Sequence, residues 1–233
     1  MEQKNNLNVV YEDNHIIVVV KPQNIPTQED ESKDKDLLTI VKEYIKEREN
    51  KPGNVFVGLV HRLDRPTGGV MVFSKTSKAA SRLSTQIAEG TMCKKYLAVV
   101  LGKPREPRMR LINYLKKNAR TNTVQVVPEL ETGAKKAELE YNILDAKEKV
   151  SLVEVNLFTG RSHQIRVQMK HIGCPVYGDV KYGGDKLAKG HNLALWAYEL
   201  KFVHPTTKEN MTFRVYPPED IVPWKVFDLN IVK

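Results

Sequence analysis

Cysteine is scarce in this chain: two residues in 233, Cys93 and Cys174. They form no CxxC pair and have no metal-ligand spacing, which leaves no basis for a disulfide scaffold or a thiolate zinc site. The opening MEQKNNLNVVYEDN lacks the basic-then-apolar plan of a secretion signal. Two reduced, buried thiols in a cytoplasmic protein are therefore expected. No apolar run approaches the roughly 20 residues of a membrane-spanning helix, so no membrane partner is expected. Also absent are a GxxxxGK(S/T) phosphate loop, a GxGxxG fingerprint, HExxH and a GxSxG elbow. The six histidines share no ligand spacing. Chemistry driven by ATP, a nicotinamide or a zinc-bound water thus has no support. No cofactor and no metal are expected, and an enzyme built on this chain would work with side chains alone.

What the chain has is positive charge. Lysine and arginine number 37 against 28 acidic residues, a formal net charge of +9. Such a surplus favours a polyanionic partner, because neutralising phosphates releases condensed counterions. The apolar fraction of 41% and charged fraction of 28% are those of an ordinary globular protein with a sizeable core. Neither a repeat nor a composition shift divides the chain, so residues 1–233 read as one domain.

Hydrophobic patterning predicts more strands than helices. HIIVVVKP (15–22) is a β-branched run closed by proline. Asp36 is placed to cap a helix through Arg48, with Leu37, Ile40, Val41, Tyr44 and Ile45 on one face and KPG (51–53) stopping it. NVFVGLV (54–60) and GGVMVFSK (68–75) are β-type. Ser77 suits the cap of a second helix, with Ala80, Leu83, Ile87 and Ala88 facing inward and Gly90 as terminator. CKKYLAVVLG (93–102) is a strand, KPREPRMR (103–110) a basic loop, and RLINYLKKNAR a short helix or turn. KKAELEYNIL (135–144) and KVSLVEVNLF (149–158) read as paired strands, SHQIRVQMKHIG (162–173) as a helix, and NLALWAYELKFVHP with NMTFRVYPP as a final strand pair. Strands that follow one another directly, with a few helices, fit an α+β fold on a mixed, mainly antiparallel sheet flanked by helices.

Between two of the β-type runs lies HRLDRPTGG, where His61, Arg62, Asp64 and Arg65 crowd into one turn. Positive neighbours favour the ionised form of Asp64, and a positioned carboxylate can act as nucleophile or base. Pro66, Gly68 and Gly69 suit a tight loop open to a large substrate. Taken alone, the same residues also describe a polar surface turn. In FTGRSHQIRVQ (158–168), Thr159 or Ser162 can cap the helix, Arg161 near its start can meet a phosphate, and Arg166 within it can reach a carboxylate. Tyr96 shares a strand face with Ala98 and Val100, a pattern that equally describes a core tyrosine. Lys21, at a strand end, and the 103–110 loop are further candidate phosphate contacts.

These elements, in this order, resemble the RluA-type family of pseudouridine synthases. HRLDRPTGGVMVFSKT is similar to the signature around that family's catalytic aspartate, KKYLAVV to its tyrosine motif, and TGRSHQIRVQ with GCPVYGD to its arginine motif. The resemblance runs from YEDNHIIVVVKP to HPTTKENMTFRVYPP, nearly the whole chain. It implies an RNA pseudouridine synthase, an isomerase whose sheet is bisected by an RNA-binding cleft. It further implies Asp64 as catalytic aspartate, Tyr96 as active-site tyrosine, Arg166 as the arginine that pairs with the aspartate, and Arg62 as the filler of the gap left by a flipped nucleotide. Lys21, His61, Arg65 and Arg161 complete the expected RNA-binding set. Gly68, Asn24 and Trp196 depart from the commonest family pattern, which has serine, glycine and histidine there. No small RNA-binding domain is expected before the catalytic part, and a monomer acting on ribosomal or transfer RNA is the expected form. An RNA-binding module without chemistry and a glycosidic hydrolase are the alternatives. The latter commonly needs two paired carboxylates, and no second acid stands out.

Overall fold

The computed structural model describes residues 7–50, 52–183 and 190–232. Among these are eleven strands and three α-helices, numbered below in chain order, in an α+β fold with mainly antiparallel pairing. They fall into two compact units, Met1–Met92 with Ala197–Val215, and Cys93–Trp196 with Tyr216–Lys233. No helix among the described residues is long and apolar enough to cross a membrane.

The first unit is built on β1 (Asn8–Glu12), β2 (Ile16–Lys21), β3 (Gly58–Leu59) and β4 (Gly68–Ser74), with β2 antiparallel to both β1 and β4. The register sets Lys21 opposite Gly69, so the end of β2 lies beside the chain entering β4. Helix α1 (Leu37–Arg48) starts where the sequence predicts: the Asp36 carboxylate accepts from the Thr39 amide and hydroxyl, satisfying an otherwise orphaned donor. Helix α2 (Ser77–Ala88) is capped by Thr76, one residue before the predicted Ser77, and buries Ala79 and Leu83, while Ala88 is exposed. Its buried face packs with Ile16, Val18, Val70, Val72 and, from the hairpin of β10 (Leu195–Val203) and β11 (Asn210–Arg214), Leu200 and Phe202. Gly69 is required here. It has φ +127°, and a Cβ on it would fall 2.2 Å from the Ala197 carbonyl oxygen.

The second unit carries β5 (Cys93–Leu101), β6 (Arg108–Asn118), β7 (Thr123–Val127), β8 (Lys135–Ala146) and β9 (Val150–Leu157), all antiparallel, in the order β5-β9-β8-β6-β7. The segment predicted as a helix or turn, RLINYLKKNAR, is instead most of β6. Leu111 and Leu115 are four apart and fit either period. The residue between them on the same strand face, Asn113, is polar and hides the alternation, and its side chain is hydrogen-bonded by Gln168. The expected helix at 162–173 shortens to α3 (Gln164–His171). Neither Thr159 nor Ser162 caps it: the residue before it is His163, in the left-handed conformation with φ 52° and making no side-chain cap bond. Val167 of α3 packs with Leu115, Val124, Ala137 and Tyr182. The pairing registers carry that sheet face from Leu115, Leu111 and Ala137 through Leu139, Tyr141 and Val155 to Tyr96. Of the two cysteines, Cys174 is buried as expected, but Cys93, at the start of β5, is exposed.

Candidate active site

In the first unit the site is the loop from His61 to Thr67, and its backbone is held at four successive carbonyls. Leu63 O accepts from the Thr27 hydroxyl at 2.8 Å, and Asp64 O from Thr67 N–H at 2.9 Å. Arg65 O accepts from Asn24 N–H at 2.8 Å and from Lys21 Nζ at 3.0 Å, and Pro66 O from Gln23 Nε2 at 2.9 Å. Apart from the Asp64–Thr67 turn, every donor comes from Lys21–Thr27, the stretch that leaves β2. The same stretch offers Pro26 O and Thr27 O to the amides of Leu37 and Leu38. The Asp64 loop is thus fastened to a strand end and to a helix start. Asp64 itself is half-buried.

Lys21 is not the surface phosphate contact expected from its place at a strand end. It is fully buried, 0% exposed, with its ammonium given to the carbonyls of Pro22 and Arg65. Burial pulls its pKa down to about 7, opposed by the negative charge of Asp64 and assisted by Arg65. Within this unit, a cation that feels the charge of Asp64 is thus a lysine 43 positions earlier in the chain. Arg65 is also committed elsewhere: Nε donates to Asn24 O at 3.1 Å, NH1 to Ser32 Oγ at 2.8 Å, and NH2 to Asp34. It ties down the acidic 30–34 stretch instead of standing clear for a phosphate. His61 is half-buried, and its Nε2 accepts from Val72 N–H at 3.1 Å, which places a neutral ring's proton on Nδ1. Arg62 is exposed and makes no hydrogen bond or ion pair among the described residues.

In the second unit, Tyr96 is 6% exposed on β5, opposite Val155 of β9. Arg166, 4% exposed on α3, makes a two-point ion pair with Asp179: Nε to Oδ2 and NH2 to Oδ1, both 2.7 Å. Asp179 also accepts from the amides of Lys181 and Tyr182 at 3.0 Å. The Arg166 guanidinium lies 5.1 Å from the centre of the Tyr182 ring, whose hydroxyl accepts from Val124 N–H and meets His163 Nδ1 at 2.7 Å. Arg161 is exposed, with Nε on Lys136 O at 2.9 Å. Asp179, the partner of Arg166, is not among the residues expected from the sequence, although it closes the GCPVYGD stretch (173–179). Among the described residues no group of three or more His, Cys, Asp or Glu gathers as a metal site.

A family model described as RNA pseudouridylate synthase matches residues 15–171. The chain belongs to that family. The match spans the Asp64 loop, Tyr96 and Arg166, and so covers every predicted catalytic residue. Among curated relatives, the uncharacterized RNA pseudouridine synthase YlyB of Bacillus subtilis is 33% identical over 92% of this chain and 70% of its own length. The ribosomal large subunit pseudouridine synthase D of Vibrio cholerae is 32% identical over 93% of this chain and 69% of its own. Among solved structures, human RNA pseudouridylate synthase domain containing 4 superposes with a TM-score of 0.76 at 21% identity, covering 91% of this chain and 88% of that one. As a pseudouridine synthase of the RluA type, the chain is an isomerase acting on RNA.

Proposed function

We propose that this pseudouridine synthase isomerises specific uridines in ribosomal or transfer RNA, with Asp64 as the catalytic nucleophile or base and with the target nucleotide flipped out of its stack. The names of its relatives make large-subunit ribosomal RNA the first substrate to test. The reaction breaks the bond between base N1 and ribose C1′, turns the base and joins C5 to the same C1′. N1 gains a proton and C5 loses one, so nothing is oxidised and no group departs. Such chemistry asks for a positioned carboxylate, a proton acceptor and a dry pocket. Asp64 attacks C1′ or C6, or removes a ribose proton. Arg166 orients it, and Tyr96 stacks on the base or takes the C5 proton. Arg62 fills the gap in the RNA stack, since guanidinium planes pack on bases and flipping costs a few kcal/mol. The two units serve as one catalytic domain, and the chain works as a cytoplasmic monomer.

The observation that carries this reading is the anchoring of four successive carbonyls around Asp64. A loop anchored at the carboxylate-bearing residue and at its neighbours on both sides restrains that carboxylate, which is what catalysis by positioning requires. Its test is Asp64→Asn. The variant should fold and bind RNA yet form no pseudouridine, and retained turnover would sink the assignment. Pseudouridine mapping of total RNA from cells with and without the protein then identifies the RNA and the position.

A further inference from the structure

Lys94 stands two residues before Tyr96, so the pleat of β5 puts both side chains on the sheet face that α3 covers. It is half-buried, and burial holds its ammonium below the usual lysine range. Among the described residues it has no hydrogen bond and no ion pair. This sets it apart from its neighbour Lys95, which pairs with Glu154 at 3.1 Å on the other face. The ammonium lies against Gly160: a Cβ built on that glycine would sit 3.6 Å from Nζ, with nothing else within 4 Å. The corner Thr159-Gly160-Arg161 leads into α3, the helix that carries Arg166. At that corner stands a second donor without an acceptor. Gln164 is 3% exposed, and its Oε1 is held by the Thr159 hydroxyl at 2.8 Å and by Arg161 N–H at 3.0 Å. Its Nε2 has no partner among the described residues. A half-buried cation and a buried amide donor thus each adjoin a corner whose central residue has no side chain.

We propose that Lys94 Nζ binds a phosphate of the substrate RNA at the Gly160 corner, as a positioning contact on the Tyr96 face of the second unit. Desolvating an ammonium without a counter-charge is costly, and a phosphate supplies that charge. RNA is the polyanion this enzyme handles. Gly160 puts only backbone, and no side chain, beside the ammonium. The inference rests on the assignment of Tyr96 to the substrate-facing side and is independent of which bond Asp64 attacks.

The test uses the full chain and a short fluorescein-labelled oligouridylate, bound at several salt concentrations. Lys94→Gln should weaken binding about tenfold, the loss of one charged hydrogen bond. It should also reduce the slope of log K against log salt by about 0.7, the value for one single-strand phosphate. The melting temperature should hold and kcat on bulk RNA stay within about twofold, with KM rising as binding weakens. Lys94→Arg should restore affinity and slope. An unchanged slope in a folded Lys94→Gln variant overturns the proposal, as does Arg failing to rescue. Should Lys94→Gln not fold, Gly160→Asp replaces it by placing a carboxylate beside the ammonium. That variant should lose affinity in the parent chain and lose far less in a Lys94→Met background, whereas equal losses in both overturn the proposal. Turnover retained by Asp64→Asn refutes the catalytic role of Asp64 and leaves these slopes unchanged, so the two failures are distinguishable.

Discussion

Arg166 and Asp179 form a buried two-point ion pair, with both donor–acceptor distances at 2.7 Å. Asp179 is saturated: besides the guanidinium it takes the amides of Lys181 and Tyr182. This fixes the plane of the guanidinium, a bidentate geometry that a lysine in place of Arg166 would not reproduce. Breaking a buried pair by removing one partner costs about 3–5 kcal/mol, because the other charge is stranded. Asp179→Ala is therefore expected to lose that much stability in urea denaturation. Asp179→Asn keeps the shape but removes the charge and sets an NH2 donor where an acceptor oxygen stood. It is expected to lose stability as well, though less than alanine, and where it remains folded its turnover should fall at least about tenfold. Full activity in a folded Asp179→Asn would show that the pair is structural alone.

Lys21 makes stability depend on pH in a direction opposite to that of most lysines. Its folded pKa is about 7 against an ordinary 10.5. Below pH 7 it is charged in both folded and unfolded chains, and the full cost of burying the ammonium is present. Between pH 7 and 10.5 the unfolded chain binds the extra proton, so the contribution of this group to stability rises with pH. Comparing wild type with Lys21→Met at pH 6 and pH 9 by urea denaturation, the wild type should gain about 2–3 kcal/mol on the variant across that interval. A difference that stays flat with pH would place the proton elsewhere. The variant also loses the donor to Arg65 O, so its turnover should fall even where its stability does not.

Arg62 is the one arginine of the HRLDR motif without a protein partner among the described residues, and it is exposed. Arg65 by contrast is spent on Asn24, Ser32 and Asp34. The two should therefore part on mutation. Arg62→Ala is expected to keep its melting temperature and lose most activity on folded RNA but less on a short unstructured one, where no stacked gap needs filling. Arg65→Ala is expected to lower the melting temperature and to affect both RNAs alike. Equal losses on the two RNAs for Arg62→Ala would count against a role in flipping.

Asp64, Tyr96 and Arg166 could be singled out as candidates because each sits in a short stretch that resembles a motif of the family: HRLDRPTGG, KKYLAVV and TGRSHQIRVQ. The strands were legible where both faces are apolar, as in β2 and β4. The reading failed in β6, where Asn113 interrupts the buried face, and passed over the short, partly exposed β1 and β7. The partners of the charged residues were not legible. Lys21 reads as a strand-end lysine because its acceptors are carbonyls, which have no letter of their own. The acids that hold Arg65 lie 31 to 35 positions away in a stretch that reads as irregular. Arg166 and Asp179 lie 13 positions apart, with the end of α3 and a return of the chain between them, a separation at which sequence spacing has no period to exploit.

Asn24 shows how a departure from the family pattern can keep its physics. It has φ 66°, the left-handed region, where glycine is free and asparagine is the side chain that tolerates the strain best. The conformation aims its N–H at Arg65 O, 2.8 Å away, in the set of bonds that fixes the Asp64 loop. A β-branched residue at this φ costs about 1–2 kcal/mol. Asn24→Val is accordingly expected to lower stability by that amount and to loosen the loop, with turnover falling more than RNA affinity. Asn24→Gly should keep the backbone geometry and stay within about 1 kcal/mol of wild type. Asn24→Pro removes the N–H and forbids the positive φ together, and should be the most damaging of the three. Urea denaturation paired with a turnover assay on bulk RNA ranks them. A valine variant as active and as stable as the glycine variant would show that the left-handed turn at Asn24 does not hold the loop.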